Sequence, residues 1–334
     1  MKIGSVSLRS PFAIAPMAGM TDTAFRRLVK RQGGCGLVVT EMVSAEGLVR
    51  GIDRTLEYAE YTEDERPIAI QIFGGDAGKM AAAAQVVEGM GADIVDVNMG
   101  CPVAKIAKHD AGCSLMRTPA HAADVIAAMT RAVKIPVTVK MRAGWSDAER
   151  NAPTLARMVQ DAGAAAIAVH GRTAAQSYSG LADWDLVARI AGDLTIPVFG
   201  SGDCVEPEDI INRLATGVGG VLVGRGVLRN PWILAQASDL AAGLAPRRIT
   251  PEDRGRFLLD YVDLLMTERP PAFPAAARSH DRWVINKVRA LGSWYTKGLE
   301  GGSHLRIAIN STESLSALRD LIGSFFFAPA TMTR

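Results

Sequence analysis

Eight short apolar runs, rich in β-branched residues, recur through the first two thirds of this chain with helically patterned stretches between them. They are Phe12–Pro16, Leu37–Thr40, Ile68–Ile72, Ile94–Val97, Val137–Lys140, Ala166–His170, Val198–Ser201 and Gly220–Val223. Runs that stay apolar on both faces indicate parallel strands covered by helices on either side. Eight of them in this order predict an α/β fold, a (β/α)8 TIM barrel. A doubly wound sheet is the rival architecture, and it normally uses fewer strands. Ile135-Pro136-Val137 returns as Ile196-Pro197-Val198, which marks corresponding helix-to-strand turns.

The chain has 334 residues, more than the ~250–300 that one hydrophobic core usually serves. The pattern accordingly divides into a barrel over 1–245 and a small all-helical C-terminal domain over 246–334, with Gly and Pro clustered near 242–248 between them. Thr250-Pro251-Glu252-Asp253 reads as an N-cap, a Pro in the first turn and acids behind it. Phe257, Leu258, Tyr261, Leu264 and Leu265 then follow at helical spacing. A second stripe, Val284, Val288, Leu291 and Tyr295, shares its segment with Arg282, Lys287, Arg289 and Lys297, cations expected to face away from it. Trp283, Trp294 and Tyr295 read as core aromatics, and Phe325-Phe326-Phe327 as a docking for the terminus. Residues 246–334 carry 13 Lys and Arg against 9 Asp and Glu. That mild tilt permits a polyanion partner for this part without requiring one.

No run of ~18 apolar residues is present for a membrane span, and Arg9 and Pro11 interrupt any leader-like pattern at the start. The four cysteines, Cys35, Cys101, Cys113 and Cys204, have neither CxxC spacing nor the density of a disulfide framework. A reducing, cytoplasmic setting is expected, with no metal site.

The residues at the C-terminal end of each strand carry the chemistry. These ends bear Pro16-Met17-Ala18-Gly19, Glu41, Gln71, Asn98 with Cys101, Lys140 with Arg142, His170, Ser201-Gly202-Asp203 and Gly224-Arg225. A barrel gathers all of them on one face, where such enzymes keep their active sites. The turns after the seventh and eighth strands combine Gly amides with an Arg, the usual place for a barrel phosphate site; tight turns needing Gly are the plainer reading. Lys140 and Gln71 can face a planar polar ring held by that phosphate. A Lys beside the N1/O2 edge of a flavin would stabilise its reduced anion.

The segment Asp96-Val97-Asn98-Met99-Gly100-Cys101-Pro102 ends a buried strand. Pro102 stiffens the turn that carries the thiol, because proline fixes φ and biases its neighbour toward extended geometry. A cysteine so placed suits a proton donor or a nucleophile, although free Cys is most often simply buried.

These residues closely resemble the tRNA-dihydrouridine synthase family, in its B-type bacterial subgroup. The resemblance rests on Ala15-Pro16-Met17-Ala18-Gly19-Met20-Thr21-Asp22, Gln71-Ile72-Phe73-Gly74, Asn98-Met99-Gly100-Cys101-Pro102, Lys140-Met141-Arg142, Val169-His170-Gly171-Arg172-Thr173, Gly202-Asp203 and Gly224-Arg225-Gly226, in family order. It implies an FMN barrel followed by a tRNA-binding helical domain. FMN would lie on Pro16, Met17 and Ala18, with Gln71, Lys140 and His170 around its ring. Its phosphate would sit on Ser201, Gly202, Asp203, Gly224 and Arg225. It further implies that NADPH (or NADH) reduces FMN and that a flipped tRNA uridine enters, its edge held by Asn98 and Arg142. Hydride then reaches C6 while Cys101, as general acid, protonates C5. Ser201 departs from the family's usual Asn, which bears on cofactor affinity and not on the reaction. No obligatory protein partner is evident, so a monomer is expected.

Two other readings fit parts of this pattern. An FMN barrel acting on a free pyrimidine, such as a dihydroorotate dehydrogenase, explains the phosphate turns and Lys140 but leaves the Arg-rich tail without a task. A non-catalytic RNA-binding protein on a barrel scaffold predicts colourless protein whose tRNA affinity survives loss of Cys101. Cys113, near Lys108-His109 on an expected mobile loop, has no assigned role.

Overall fold

The computed structural model describes residues 1–103, 106, 110–268 and 277–327. All eight expected runs are strands: β1 (Phe12–Ile14), β2 (Val38–Val39), β3 (Ile68–Phe73), β4 (Ile94–Met99), β5 (Val137–Arg142), β6 (Ala166–His170), β7 (Val198–Ser201) and β8 (Gly220–Val223). They pair in parallel in the order β1-β8-β7-β6-β5-β4-β3-β2. A parallel bridge between Ala13 and Leu37 joins the two ends, with Gly36 N donating to Phe12 O at 2.8 Å, so the barrel closes. Boundaries differ from the sequence reading at six ends: β2 is trimmed at both ends to Val38–Val39, β3 runs one residue further to Phe73, and β1, β4 and β5 each differ at the C-terminal end. β1 stops at Ile14 ahead of Pro16, whose ring nitrogen has no proton for a ladder. β4 and β5 run on to Met99 and Arg142, because each offers the other a partner in register through Met99 and Met141.

Alternation along the strands separates two cores. Ala13, Leu37, Val39, Ala69, Ile94, Ala166, Phe199 and Leu222 fill the barrel interior, joined by Ile3 and Leu8 from the N-terminal hairpin. Phe12, Ile14, Ile70, Val95, Val139 and Val221 face outward and pack against the helices. Helix starts are capped as their sequences indicate: Asp22 accepts from Phe25 N at 3.0 Å at the head of α1 (Thr23–Gln32). Asp76 and Asp183 do the same for the helices Ala77–Gly89 and Trp184–Asp193.

The described residues from 251 onward form four helices, α2 (Pro251–Glu268), α3 (Ala277–Tyr295), α4 (Gly302–Ser311) and α5 (Leu315–Phe326). The expected cap at Thr250 is present: its hydroxyl accepts from Asp253 N at 3.2 Å and Asp253 accepts from Thr250 N at 3.0 Å. The tail does not stand apart from the barrel. Phe25 of α1 meets Phe257 and Tyr261 of α2 edge-on, at 6.2 and 6.4 Å between ring centroids, and one apolar core runs across both parts. Phe326 docks on α2 at Gly255, where an added Cβ would lie 2.5 Å from the Phe326 Cβ. Tyr295 is fully buried, as a core aromatic should be, and its hydroxyl donates to Arg254 O at 2.9 Å.

Two of the four tail cations do not face away from the packed stripe. Lys287 reaches back to the barrel, where its Nζ lies 3.0 Å from Asp22 Oδ2 and 3.8 Å from Glu41 Oε1. Arg289 donates to Thr312 O at 2.6 Å, closing the C-terminus of α4. Helical spacing alone could not separate these from Arg282, which is exposed, because both kinds of position lie beside the apolar stripe. Among the described residues no helix is long and apolar enough to cross a membrane.

Candidate active site

The strand register sets the site. Asn98 lies opposite Lys140, and His170 lies opposite both Arg142 and Ser201. A cavity of about 290 Å³ opens at this end of the barrel. Pro16, Met17, Lys140, His170, Ser201, Gly202, Asp203, Gly224 and Arg225 all line it, so the structure brings together nine of the residues singled out in the sequence. Ala18 does not line this cavity but a separate one, with Glu41, Met42 and the α3 residues Trp283 and Lys287.

The electrostatics of the cavity are those of crowded cations. Burial and the neighbouring Arg142 pull Lys140 down to about 8, against a partial counter-effect from Asp96. His170 is pushed down to about 2 by burial and by Lys140, Arg142, Arg172 and Arg225, so its ring is neutral at physiological pH. Asp203 lines the cavity with its carboxylate already engaged by the protein. It accepts from Arg172 Nη2 at 2.6 Å and from Ala182 N at 2.7 Å, while Arg225 stays 3.9 Å away. An anion approaching Gly224 and Arg225 therefore meets a carboxylate whose charge Arg172 already balances.

Gln71, Asn98 and Arg142 are engaged by the protein itself. Thr138 Oγ1 donates to Asp96 Oδ1 at 2.6 Å, and Gln71 Nε2 donates to Asp96 Oδ2 at 2.7 Å. Asn98 Nδ2 donates to Gln71 Oε1 at 2.8 Å, and Asn98 Oδ1 accepts from Gly100 N and Cys101 N at 3.1 and 2.9 Å. Four buried side chains thus end in a clamp on the cysteine turn, and satisfied networks of this kind are rigid. Arg142 seals the same turn from the other side. It donates to Gly100 O at 2.8 Å and to Thr173 O and Ser177 O at 2.9 Å each. Cys101 is half-buried and within electrostatic reach of Lys140. Its carbonyl accepts from Cys113 N at 3.0 Å, which places Cys113 behind the turn, fully buried. Lys108 and His109 lie outside the described residues.

Sequence reasoning missed four contributors. Tyr178 lines the cavity beneath Arg225, whose guanidinium sits 4.6 Å from the ring centroid. Arg172 had a signal, two residues past His170, but its task of holding Asp203 depends on a contact 31 positions away. Trp294 and Lys297 enter the cavity wall from the end of α3, a placement no local pattern encodes.

The family model described as "Dihydrouridine synthase (Dus)" matches residues 13–318. A probable tRNA-dihydrouridine synthase of Rickettsia conorii is 36% identical over 98% of this chain and 96% of its own length. The tRNA-dihydrouridine synthase B of Pseudomonas putida is 36% identical over 98% of this chain and 94% of its own. Solved structures share the barrel at low identity. A morphinone reductase mutant superposes with a TM-score of 0.55 at 14% identity, covering 76% of this chain and 92% of its own. Histamine dehydrogenase from Rhizobium sp. 4-9 gives 0.55 at 13%, covering 78% of this chain and 50% of its own. With the family model spanning nearly the whole chain and the clamped Cys101 turn intact, this protein belongs to the dihydrouridine synthase family.

Proposed function

We propose that this protein is a tRNA-dihydrouridine synthase, reducing the C5–C6 double bond of uridines in tRNA with FMN as cofactor and NADPH (or NADH) as reductant. The observation that carries this reading is the polar network from Thr138 to Asn98, which fixes a half-buried thiol beside the cationic cavity. The cavity fits a flavin mononucleotide. Its volume is near the ~300 Å³ lower end of ligand pockets. At Gly224 an added Cβ would come within 3.5 Å of Met17 Sδ, so bare backbone keeps that wall open. Arg225 supplies a cation to the same cavity, and Lys140 and neutral His170 supply further polar groups.

Bound flavin supplies hydride chemistry. The chain's own residues do the rest. Lys140 would hold positive charge beside the bound ring, and Pro16 and Met17 would form part of the wall on which it rests. Cys101 delivers a proton to C5 of the uracil as hydride reaches C6. Asn98 and Arg142, assigned in the sequence to the uracil edge, act chiefly by fixing the turn from which the thiol works. Residues 1–245 form the catalytic unit and 246–334 the tRNA-binding unit, of which 269–276 and 328–334 lie outside the described residues. The four free cysteines agree with a reducing cytoplasmic setting, and the protein is assigned as a monomer.

Anaerobic stopped-flow absorbance tests the reading. Reduced protein mixed with tRNA lacking dihydrouridine should regain its oxidised flavin band rapidly, and free uridine or orotate should not restore it. Reoxidation by a free pyrimidine with indifference to tRNA would sink the assignment. The charge state of Lys140 makes a second expectation. Below pH about 8 the side chain is a cation, and it loses that charge as pH rises through about 8. Flavin reduction by NADPH should therefore slow above that pH. Lys140→Met should flatten the profile and lower the rate roughly 10²-fold, the weight of one preorganised electrostatic contact. A profile unchanged by the substitution would remove Lys140 from the reduction step.

A further inference from the structure

We propose that the C-terminal tail completes the phosphate-binding end of the cavity, with Lys297 as a phosphate-binding residue and Trp294 as its support. The inference rests on the flavin reading above and goes beyond it, since the phosphate turns identified in the sequence belong to the barrel alone.

The cavity wall beside Gly224, Arg225 and Arg229 continues onto Trp294 and Lys297 from the end of α3. The cations there differ in how far they are already balanced. Arg229 pairs with Glu206 at 3.3 Å. Arg225 lies over Tyr178 and 3.9 Å from an Asp203 that Arg172 already holds. Lys297 rests on the indole face of Trp294, its Nζ 3.9 Å from the ring centroid, and forms no ion pair among the described residues. A cation–π contact orients an ammonium without cancelling its charge. Two incompletely balanced cations, one from the β8 turn and one from the tail, thus border the same space.

A phosphate monoester carries close to two negative charges at neutral pH and accepts hydrogen bonds on three oxygens, which matches this pair. Two such groups are available in the proposed reaction: the 5′-phosphate of the flavin and the 2′-phosphate of NADPH. The same cavity holds Lys140 and His170 at its ring end, and that continuity favours the flavin phosphate. The tail, already packed on the barrel, is then part of the cofactor site as well as a surface for RNA.

Full-length apoprotein, titrated with FMN and with riboflavin by flavin fluorescence, tests this. Lys297→Ala should weaken FMN about five- to tenfold, the weight of one charge-assisted hydrogen bond at a partly open site. Riboflavin, lacking the phosphate, should bind the variant as it binds the wild type. Lys297→Arg should restore FMN affinity to within about twofold, and the FMN difference should shrink in high salt. An unchanged FMN affinity, or equal weakening of FMN and riboflavin, would overturn the proposal. Lost NADPH-over-NADH preference with intact FMN affinity would overturn it too, by giving Lys297 to the reductant. Failure of wild-type protein to bind either flavin would instead bring down the functional reading, and this inference with it.

Discussion

Cys101→Ala is expected to leave FMN affinity within about twofold while slowing tRNA-dependent oxidation of the reduced enzyme by about 10²- to 10⁴-fold, the range for loss of a positioned general acid. The two effects separate because the turn is held through its backbone. Asn98 Oδ1 accepts from the amides of Gly100 and Cys101, and Arg142 donates to Gly100 O. Alanine preserves all three bonds and removes only the thiol. Single-turnover mixing with tRNA, beside a fluorescence titration of the cofactor, reads both quantities. A wild-type oxidation rate in the variant would take the proton-donor role from Cys101. Loss of cofactor binding would show instead that the side chain is structural.

Glu65→Gln is expected to cost about 3–5 kcal/mol of stability, the usual penalty for leaving one partner of a buried ion pair without its counter-charge. Arg26 and Glu65 are both essentially inaccessible, with Nε 2.5 Å from Oε2. The guanidinium also donates to Thr21 O at 2.8 Å and Glu60 O at 2.9 Å, so it cannot swing out to water without breaking the loop above it. That loop matters for function, since Thr21 Oγ1 accepts from Met17 N at 3.0 Å beneath the cavity floor. Urea denaturation of the single variants, and of Glu65→Gln combined with Arg26→Met, measures the effect. The double variant should recover much of the loss, because no buried charge is then left unpaired. A single variant within about 0.5 kcal/mol of wild type would mean that the pair is not buried in solution.

The sequence by itself determined the barrel and the inventory of its upper face. Strand formation depends on local runs of β-branched and apolar residues, and β3 through β8 each begin where the sequence marked a start. Strand ends then deliver Lys140, His170, Ser201 and Gly224 to one place, because a closed parallel barrel leaves them no other. The tail's first cap and its apolar stripe were legible for the same local reason. Which groups are free to act was a different matter. Gln71 and Asn98 read as ring and base contacts, and the fold adds bonds to Asp96 and to the Cys101 turn that the sequence did not show. Lys287 read as a cation facing away from the packed stripe, yet it is anchored on Asp22 and Glu41 of the barrel. Tyr178, Trp294 and Lys297 reach the cavity from a loop and a helix whose paths are set by packing against distant parts of the chain. Tertiary structure alone decided these points. Side-chain partnership depends on distances between segments far apart in sequence, and periodicity carries no record of them.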